Sequence, residues 1–267
     1  MPELNSPIAV GATAEIFAWG DDRVLKLFRS GTYPGLPDQE WANTLTAWQL
    51  GAPAPKPIEL VEVNGRRGVV LERIQGPTLT RCMQKHPLRL ASYARLLARQ
   101  QAALHAIHAP GFPSLVERAR NNISKSNLLG PEMKDRLLAK LATLPDGDQI
   151  CHGDFHPENI LIAASGPVVI DWEGCMRGDP SADVAVTRMS LRLFATFVPG
   201  SKGWLIRLYL CTFERAYLAE YNRVAAAPAR DQPAWIAIVT AMRLGDDAGD
   251  LFPRLLPLVE QGLSAIV

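Results

Sequence analysis

The stretch His152-Gly153-Asp154-Phe155-His156-Pro157-Glu158-Asn159 sets an aspartate and an asparagine in Asp-x-x-x-x-Asn spacing, and Val168-Val169-Ile170-Asp171 then ends an apolar run on a second aspartate. Phosphoryl transfer from a nucleotide needs such a set, because the transferred group requires positioning and charge neutralisation by Mg²⁺ more than covalent help. In that chemistry Asp154 accepts the proton of the acceptor hydroxyl, while the amide oxygen of Asn159 and the carboxylate of Asp171 offer hard oxygen ligands to a hard cation. Turn capping would account for any one of these residues. It accounts for neither the spacing nor the carboxylate that ends the next strand.

His152, Asp154 and His156 also spell His-x-Asp-x-His, and His105 and His108 lie upstream, a set that could bind zinc for hydrolysis. Against this reading, the chain has no paired cysteines or His-Glu-x-x-His, and zinc would leave Asn159 and Asp171 without a role. The i, i+3 histidines suit the end of a helix, as dipole partners or half-buried core residues.

The block resembles the aminoglycoside phosphotransferase and choline kinase family of small-molecule kinases. His152-Gly153-Asp154 stands where protein kinases carry His-Arg-Asp, and Asp171-Trp172-Glu173 stands in place of Asp-Phe-Gly. Gly178-Asp179-Pro180-Ser181-Ala182-Asp183 is similar to the family's downstream segment, whose second aspartate braces the catalytic loop. The resemblance implies an α+β, bilobal protein-kinase-like fold with a small antiparallel-sheet N-lobe, residues 1–75, that binds nucleotide. Residues 76–267 would form a larger, mainly helical C-lobe with the catalytic loop, metal site and substrate-binding helices. It implies Asp154 as catalytic base, Asn159 and Asp171 as metal ligands, and His152 and Asp183 as structural support. The cofactors would be ATP, or GTP, and Mg²⁺; the acceptor would be a hydroxyl of an aminoglycoside-like antibiotic, a sugar or an amino alcohol. A nucleotide-binding pseudokinase, serving as a regulatory module, is the alternative, with a protein kinase disfavoured because no Ala-Pro-Glu segment follows Asp171. The acceptor, the choice of ATP or GTP, any antibiotic resistance and the oligomeric state stay open.

The elements that must position these residues follow from periodicity. Ile8 to Val10, Glu15 to Trp19 and Val24 to Phe28 alternate as a three-stranded meander, with a Gly-Asp-Asp turn at 20–22. In the family the first turn closes over the phosphates and a lysine on the third strand reaches them; Gly11 and Lys26 hold those positions. The turn departs from Gly-x-Gly-x-x-Gly, leaving backbone N–H groups and Thr13 to hold phosphate with less glycine. Lys26 shares its face with Val24 and Phe28, so an inward amine needs a partner. Glu40, opening a helix from 40 to 50, is the candidate, with Asp38 as substitute. Ile58 to Val63, Asn64-Gly65 and Gly68 to Ile74 read as a hairpin. In kinase-like folds its exit is the hinge, where the carbonyl of Glu72 and the N–H of Ile74 would pair with the adenine edge.

Beyond Leu79 the period becomes helical, over 90–109, 131–144, 181–197, 204–227, 233–244 and 251–267, interrupted by one hairpin with Ser165-Gly166-Pro167 as its turn. Tyr209, Phe213, Tyr217 and Tyr221 read as a buried stripe, with Trp204, Trp235 and Met242 as further core. Glu173, Glu214, Glu220, Asp231, Asp246, Asp247 and Asp250 are acids to examine for acceptor binding, although the interspersed arginines favour solvated helix faces. The 267 residues carry a net charge of +1, which gives no basic surface for nucleic acid. The chain shows neither a membrane-spanning apolar run nor a secretory start, and its four scattered cysteines suit reduced thiols, so a cytoplasmic protein without an evident obligatory protein partner is expected.

Overall fold

A computed structural model of the chain describes residues 6–197, 203–245 and 251–265. Two compact units emerge, one from the N-terminal segment through Cys82 together with Pro157–Gly174, the other from Met83–His156 and Cys175 onward. The hairpin that carries the expected metal ligands thus packs with the N-terminal sheet.

In the first unit, β1 (Ala9–Val10), β2 (Ala14–Ala18), β3 (Arg23–Phe28), β4 (Pro57–Val63) and β5 (Arg66–Glu72) make one antiparallel sheet in the order β1-β2-β3-β5-β4. Alternation along β3 divides its side chains: Leu25 and Leu27 join Phe17, Val63 and Val70 in one cluster, while Phe28 joins Ala14, Val69 and Leu71 in another. Leu36 and Trp41 of α1 (Leu36–Gln49) pack on the second cluster, which is the face Lys26 shares. The helix starts a turn earlier than the sequence suggested, with Pro37 in its first turn, where a missing N–H costs nothing. Asn64 and Gly65 both take positive φ, 52° and 72°, as a tight β4–β5 turn of the primed type requires.

A second hairpin, β7 (Ile160–Ala163) with β8 (Gly166–Val169), completes this unit. The turn lies earlier than expected: Ala163 pairs with Gly166, so Ala164-Ser165 make the turn and Pro167 sits in the strand. Pro is tolerated there because a two-stranded ribbon leaves an edge. Backbone bonds from Ile162 N to Pro77 O, 2.9 Å, and from Val169 N to Pro53 O, 2.7 Å, anchor the hairpin. A β-carbon on Gly76 would lie 2.2 Å from the Ile162 carbonyl oxygen, so only glycine permits this approach.

The second unit is mainly helical. Its elements are α3 (Leu90–Leu104), α4 (Leu115–Lys125), α5 (Pro131–Leu141), α6 (Pro180–Thr196), α7 (Gly203–Val224), α8 (Gln232–Gly245) and α9 (Phe252–Ser264), with α2 (Leu79–Lys85) at the boundary. A short ladder joins β6 (Gln149–Cys151) to β9 (Met176–Gly178). From Ala234 to Met242 every residue of α8 is buried, which identifies it as the central helix, apolar on all sides. Helix α4 was not anticipated, yet Ser114 caps it by accepting from Glu117 N at 3.2 Å. Trp235 and Met242 are core as expected, whereas Trp204 is 59% exposed, a correction to its assignment. None of the four cysteines is in a disulfide; Cys151 and Cys175 are buried and Cys211 is exposed. No helix among the described residues is long and apolar enough to cross a membrane.

Candidate active site

Lys26 is 7% exposed and is faced by carboxylates rather than water. Its Nζ lies 2.5 Å from Asp171 Oδ1, 3.2 Å from Glu40 Oε2 and 3.9 Å from Glu173 Oε2. Burial alone would push the ammonium down, but Glu40, Asp171 and Glu173 together hold it above the ordinary lysine value. Glu40 moves the other way from a simple ion pair. Burial raises its carboxyl, and Asp171 adds like charge, against the lowering by Lys26 and a backbone hydrogen bond from Trp172. The two directions are consistent because one cation answers three anions. Asp38, the possible substitute, is taken by Arg67, whose Nη2 donates to Oδ1 at 2.8 Å.

Asn159 and Asp171 flank the β7–β8 hairpin, and Ile170 N donates to Asn159 O at 3.0 Å. Asp171 itself takes φ 70°, a left-handed conformation uncommon outside glycine. What fixes it is the turn Trp172–Gly174 that follows, which α1 grips from above: Asn43 Nδ2 donates to Trp172 O at 2.9 Å and Gln39 Nε2 to Glu173 O at 2.7 Å. Trp172 is fully buried and its indole N–H donates to Val169 O at 2.9 Å, so the ring packs beneath the aspartate. Glu40, Asp171 and Glu173 are the only trio of His, Cys, Asp or Glu among the described residues close enough to share an ion. That donor set is all oxygen, the kind that suits a hard cation. His152, Asp154 and His156 do not form such a trio among the described residues.

The turn between β1 and β2 is closed by Gly11 N donating to Ala14 O at 2.8 Å, and Thr13 O accepts from Arg29 N at 2.9 Å. The Gly11 N–H is therefore engaged. Glu72 ends β5, Ile74 lies two residues beyond it, and between them Arg73 N donates to Asp22 O at 2.8 Å.

In the helical unit, Asp154 is held at both oxygens: Oδ1 by Arg243 Nη2 at 2.5 Å, Oδ2 by His156 Nε2 at 3.3 Å. Burial would raise its carboxyl, but the hydrogen bond from His156 and the positive charge of Arg243 hold it well below the usual carboxylate range. The backbone under it is braced by Asp183, which is wholly buried and accepts from Gly153 N at 2.8 Å. Asp183 Oδ2 in turn meets Gln101 Nε2 at 2.8 Å and His105 Nε2 at 3.1 Å. Behind them, His105 Nδ1 lies 2.6 Å from the Tyr221 hydroxyl, and the Tyr217 hydroxyl donates to Gln101. His152 is fully buried, its ring edge-on to Phe155, and its Nδ1 lies 3.3 Å from Asp154 N.

Sequence reasoning missed Arg243 and the part played by Glu173 beside Lys26. Glu173 had a signal, two positions after Asp171; Arg243 had none beyond its charge. Of the acids considered for acceptor binding, Glu214 is bound by Arg188 and Arg192 and Glu220 by Arg99 and Arg223, while Asp246, Asp247 and Asp250 lie outside the described residues.

An antiparallel sheet with a mainly helical remainder, a buried lysine among carboxylates and a braced Asp loop define an enzyme of the small-molecule kinase class, with a protein-kinase-like α+β fold. A profile described as the phosphotransferase enzyme family (APH) matches residues 5–230, and the chain belongs to that family. Among solved structures, it is similar to a thermostable mutant of aminoglycoside phosphotransferase APH(4)-Ia in its apo form, at 15% identity over 99% of this chain and 94% of that one, TM-score 0.69. A ternary complex of a thermostable mutant of the same enzyme with AMP-PNP and hygromycin B aligns at 16% identity over 96% and 93%, TM-score 0.67. Aminoglycoside-3′-phosphotransferase of type VIII aligns at 24% identity over 92% and 94%, TM-score 0.61. No curated protein matches the sequence.

Proposed function

We propose that the chain transfers the γ-phosphoryl group of ATP, or GTP, to a hydroxyl of a small molecule, with residues 1–75 as the nucleotide-binding lobe and 76–267 as the lobe that carries acceptor and base. The observation that carries this reading is the buried Lys26 held by Glu40 and Asp171, a charge arrangement whose burial is costly without a polyanionic ligand to serve. Lys26 steadies the phosphates and Glu40 orients Lys26. The β1–β2 turn covers the phosphates through the amides of Ala12 and Thr13, since that of Gly11 is engaged. The Glu72 carbonyl and Ile74 N–H take the adenine edge. Asn159 and Asp171, with Glu173 beside them, would hold Mg²⁺, which when bound neutralises charge at the phosphates. Asp154 receives the proton of the acceptor hydroxyl, and Asp183 and His152 keep its loop in place.

The solved relative with AMP-PNP and hygromycin B supports a nucleotide and a small acceptor as the two substrates. ADP release, scored against aminoglycosides, macrolides, choline, homoserine and sugars in the presence of Mg²⁺, tests the activity directly. Asp154→Ala should lower turnover by about 10³-fold or more while nucleotide affinity stays within about threefold, because the base acts after binding. Full phosphorylation by that variant would remove Asp154 from the mechanism, and nucleotide binding without turnover on any acceptor would favour a regulatory pseudokinase.

A further inference from the structure

A cavity of about 110 Å³ in the helical unit opens onto Asp154 and Arg243, walled by Met189, Leu193 and Phe194 of α6 and Leu255 of α9. It is smaller than an engineered cavity of about 150 Å³ that takes benzene, but it is open on one side, so a small apolar body can enter it in part. Among the described lining residues Asp154 is the sole acid, and both its oxygens are already engaged. On α7, Glu214 is bound by Arg188 and Arg192. His156 and Ser190 also line the cavity, and an ammonium group entering here meets the Arg243 guanidinium.

Arg243 offers more than it gives to the base. Its Nη2 donates to Asp154 Oδ1 at 2.5 Å and to Gly153 O at 3.3 Å, and its side chain remains 36% exposed. Nη1 and Nε make no hydrogen bond with any described residue; with Nη2 serving Asp154 and Gly153, they remain as charged donors, to which a carboxylate bonds more strongly than a neutral group does. We propose that the cavity is the acceptor subsite for hydroxy acids with an apolar body, and that Arg243 is the specificity-determining residue that holds the acceptor carboxylate while the hydroxyl faces Asp154. This rests on the phosphotransferase reading above. The hydroxyl proton passes to the Asp154 carboxylate as the acceptor oxygen bonds to the γ-phosphorus. The bond from that phosphorus to the bridging oxygen breaks, and its electron pair leaves with the nucleoside diphosphate.

The test uses three probes that share a phenyl body and a hydroxyl: 3-phenyllactate, its methyl ester, and phenylalaninol, titrated without nucleotide by calorimetry and saturation-transfer NMR. The acid should bind the wild-type chain about tenfold more tightly than the ester or the amine, a difference worth about 1.4 kcal/mol. Arg243→Gln should erase that preference and leave the ester within about twofold, and Arg243→Lys should retain part of it. Equal or tighter binding of phenylalaninol, an equal loss for all three probes in the Gln variant, or no binding of the acid each overturns the proposal; the wild-type series decides even if a variant fails to fold. Because no nucleotide is used, selective acid binding alongside failed phosphoryl transfer would uphold the subsite and sink only the kinase reading, while the converse would sink only the subsite.

Discussion

A lysine as buried as Lys26 is stable only through the charges that face it, and these charges depend on it unequally. Lys26→Met leaves Glu40, Asp171 and Glu173 facing one another with no cation, so a loss of about 3 kcal/mol is expected, in the range for breaking a buried pair. Glu40→Gln leaves the ammonium two carboxylates and should cost about 1 kcal/mol. Both variants should lose kcat/KM, Lys26→Met by about 10²-fold or more, and urea unfolding beside steady-state kinetics checks the order. A Glu40→Gln variant less stable than Lys26→Met would contradict the arrangement. Lys26 and Glu40 were legible because strand alternation fixes which way a side chain points and an apolar face makes a lone charge conspicuous. Arg243 was not legible. An arginine near the end of a helix among other charges reads as a solvated face, and only the folded chain brings it to Asp154 from 89 positions away.

Between α3 and α7 the hydrogen-bonded brace of Asp183 is accompanied by an ion pair at the rim, where Glu220 takes Arg99 Nε at 2.7 Å and Arg223 Nη2 at 2.8 Å. Hydrogen bonds from Arg223 and Arg99 hold the Glu220 carboxyl down at about 2. Since its folded value lies below the unfolded one, about 4.3, the native state binds fewer protons, and this contribution is present above about pH 4.3 and lost as pH falls toward 2. Glu220→Gln should therefore flatten the rise of the urea midpoint between about pH 2 and 4.5 and lower the plateau above it. An unchanged slope would show that the pair contributes nothing. Phe213, Tyr217 and Tyr221 of the α7 stripe were readable as buried from their spacing, whereas Tyr209 is only half-buried, and the destinations of the hydroxyls were not readable, because Gln101 and His105 lie on a segment more than a hundred positions away. Helix α4 escaped notice although Ser114 and Glu117 stand at capping distance, its Arg, Asn and Ser content masking the apolar stripe of Leu115, Ala119 and Ile123. Strands β6 and β9, three residues each, are too short to carry a period.

At the scale of the molecule, the class of fold followed from the order of patterns, a run of alternating segments and then helices broken by one hairpin, and the family match over residues 5–230 agrees with it. What no pattern conveyed is that Pro157–Gly174 packs with the N-terminal sheet, so that the chain leaves one compact unit and returns to it between Asp154 and Asp183. Such partnerships depend on close approaches, like that of Gly76 to Ile162, which a sequence records only as a glycine.

The backbone at Asp171, with φ 70°, is one that a glycine would occupy more comfortably. Replacing the aspartate by glycine removes the strain of a β-carbon there and thins the crowd of anions, at the cost of one partner for Lys26 and of freedom in the unfolded chain. These contributions are each about 1 kcal/mol and oppose one another, so Asp171→Gly should melt within about 3 °C of the parent while turnover falls by at least about 10²-fold. A melting point lower by about 10 °C would mean the aspartate serves the scaffold. The parent would otherwise be a chain that tolerates an awkward backbone for its chemistry, and loosening that posture would leave a well-folded but idle protein.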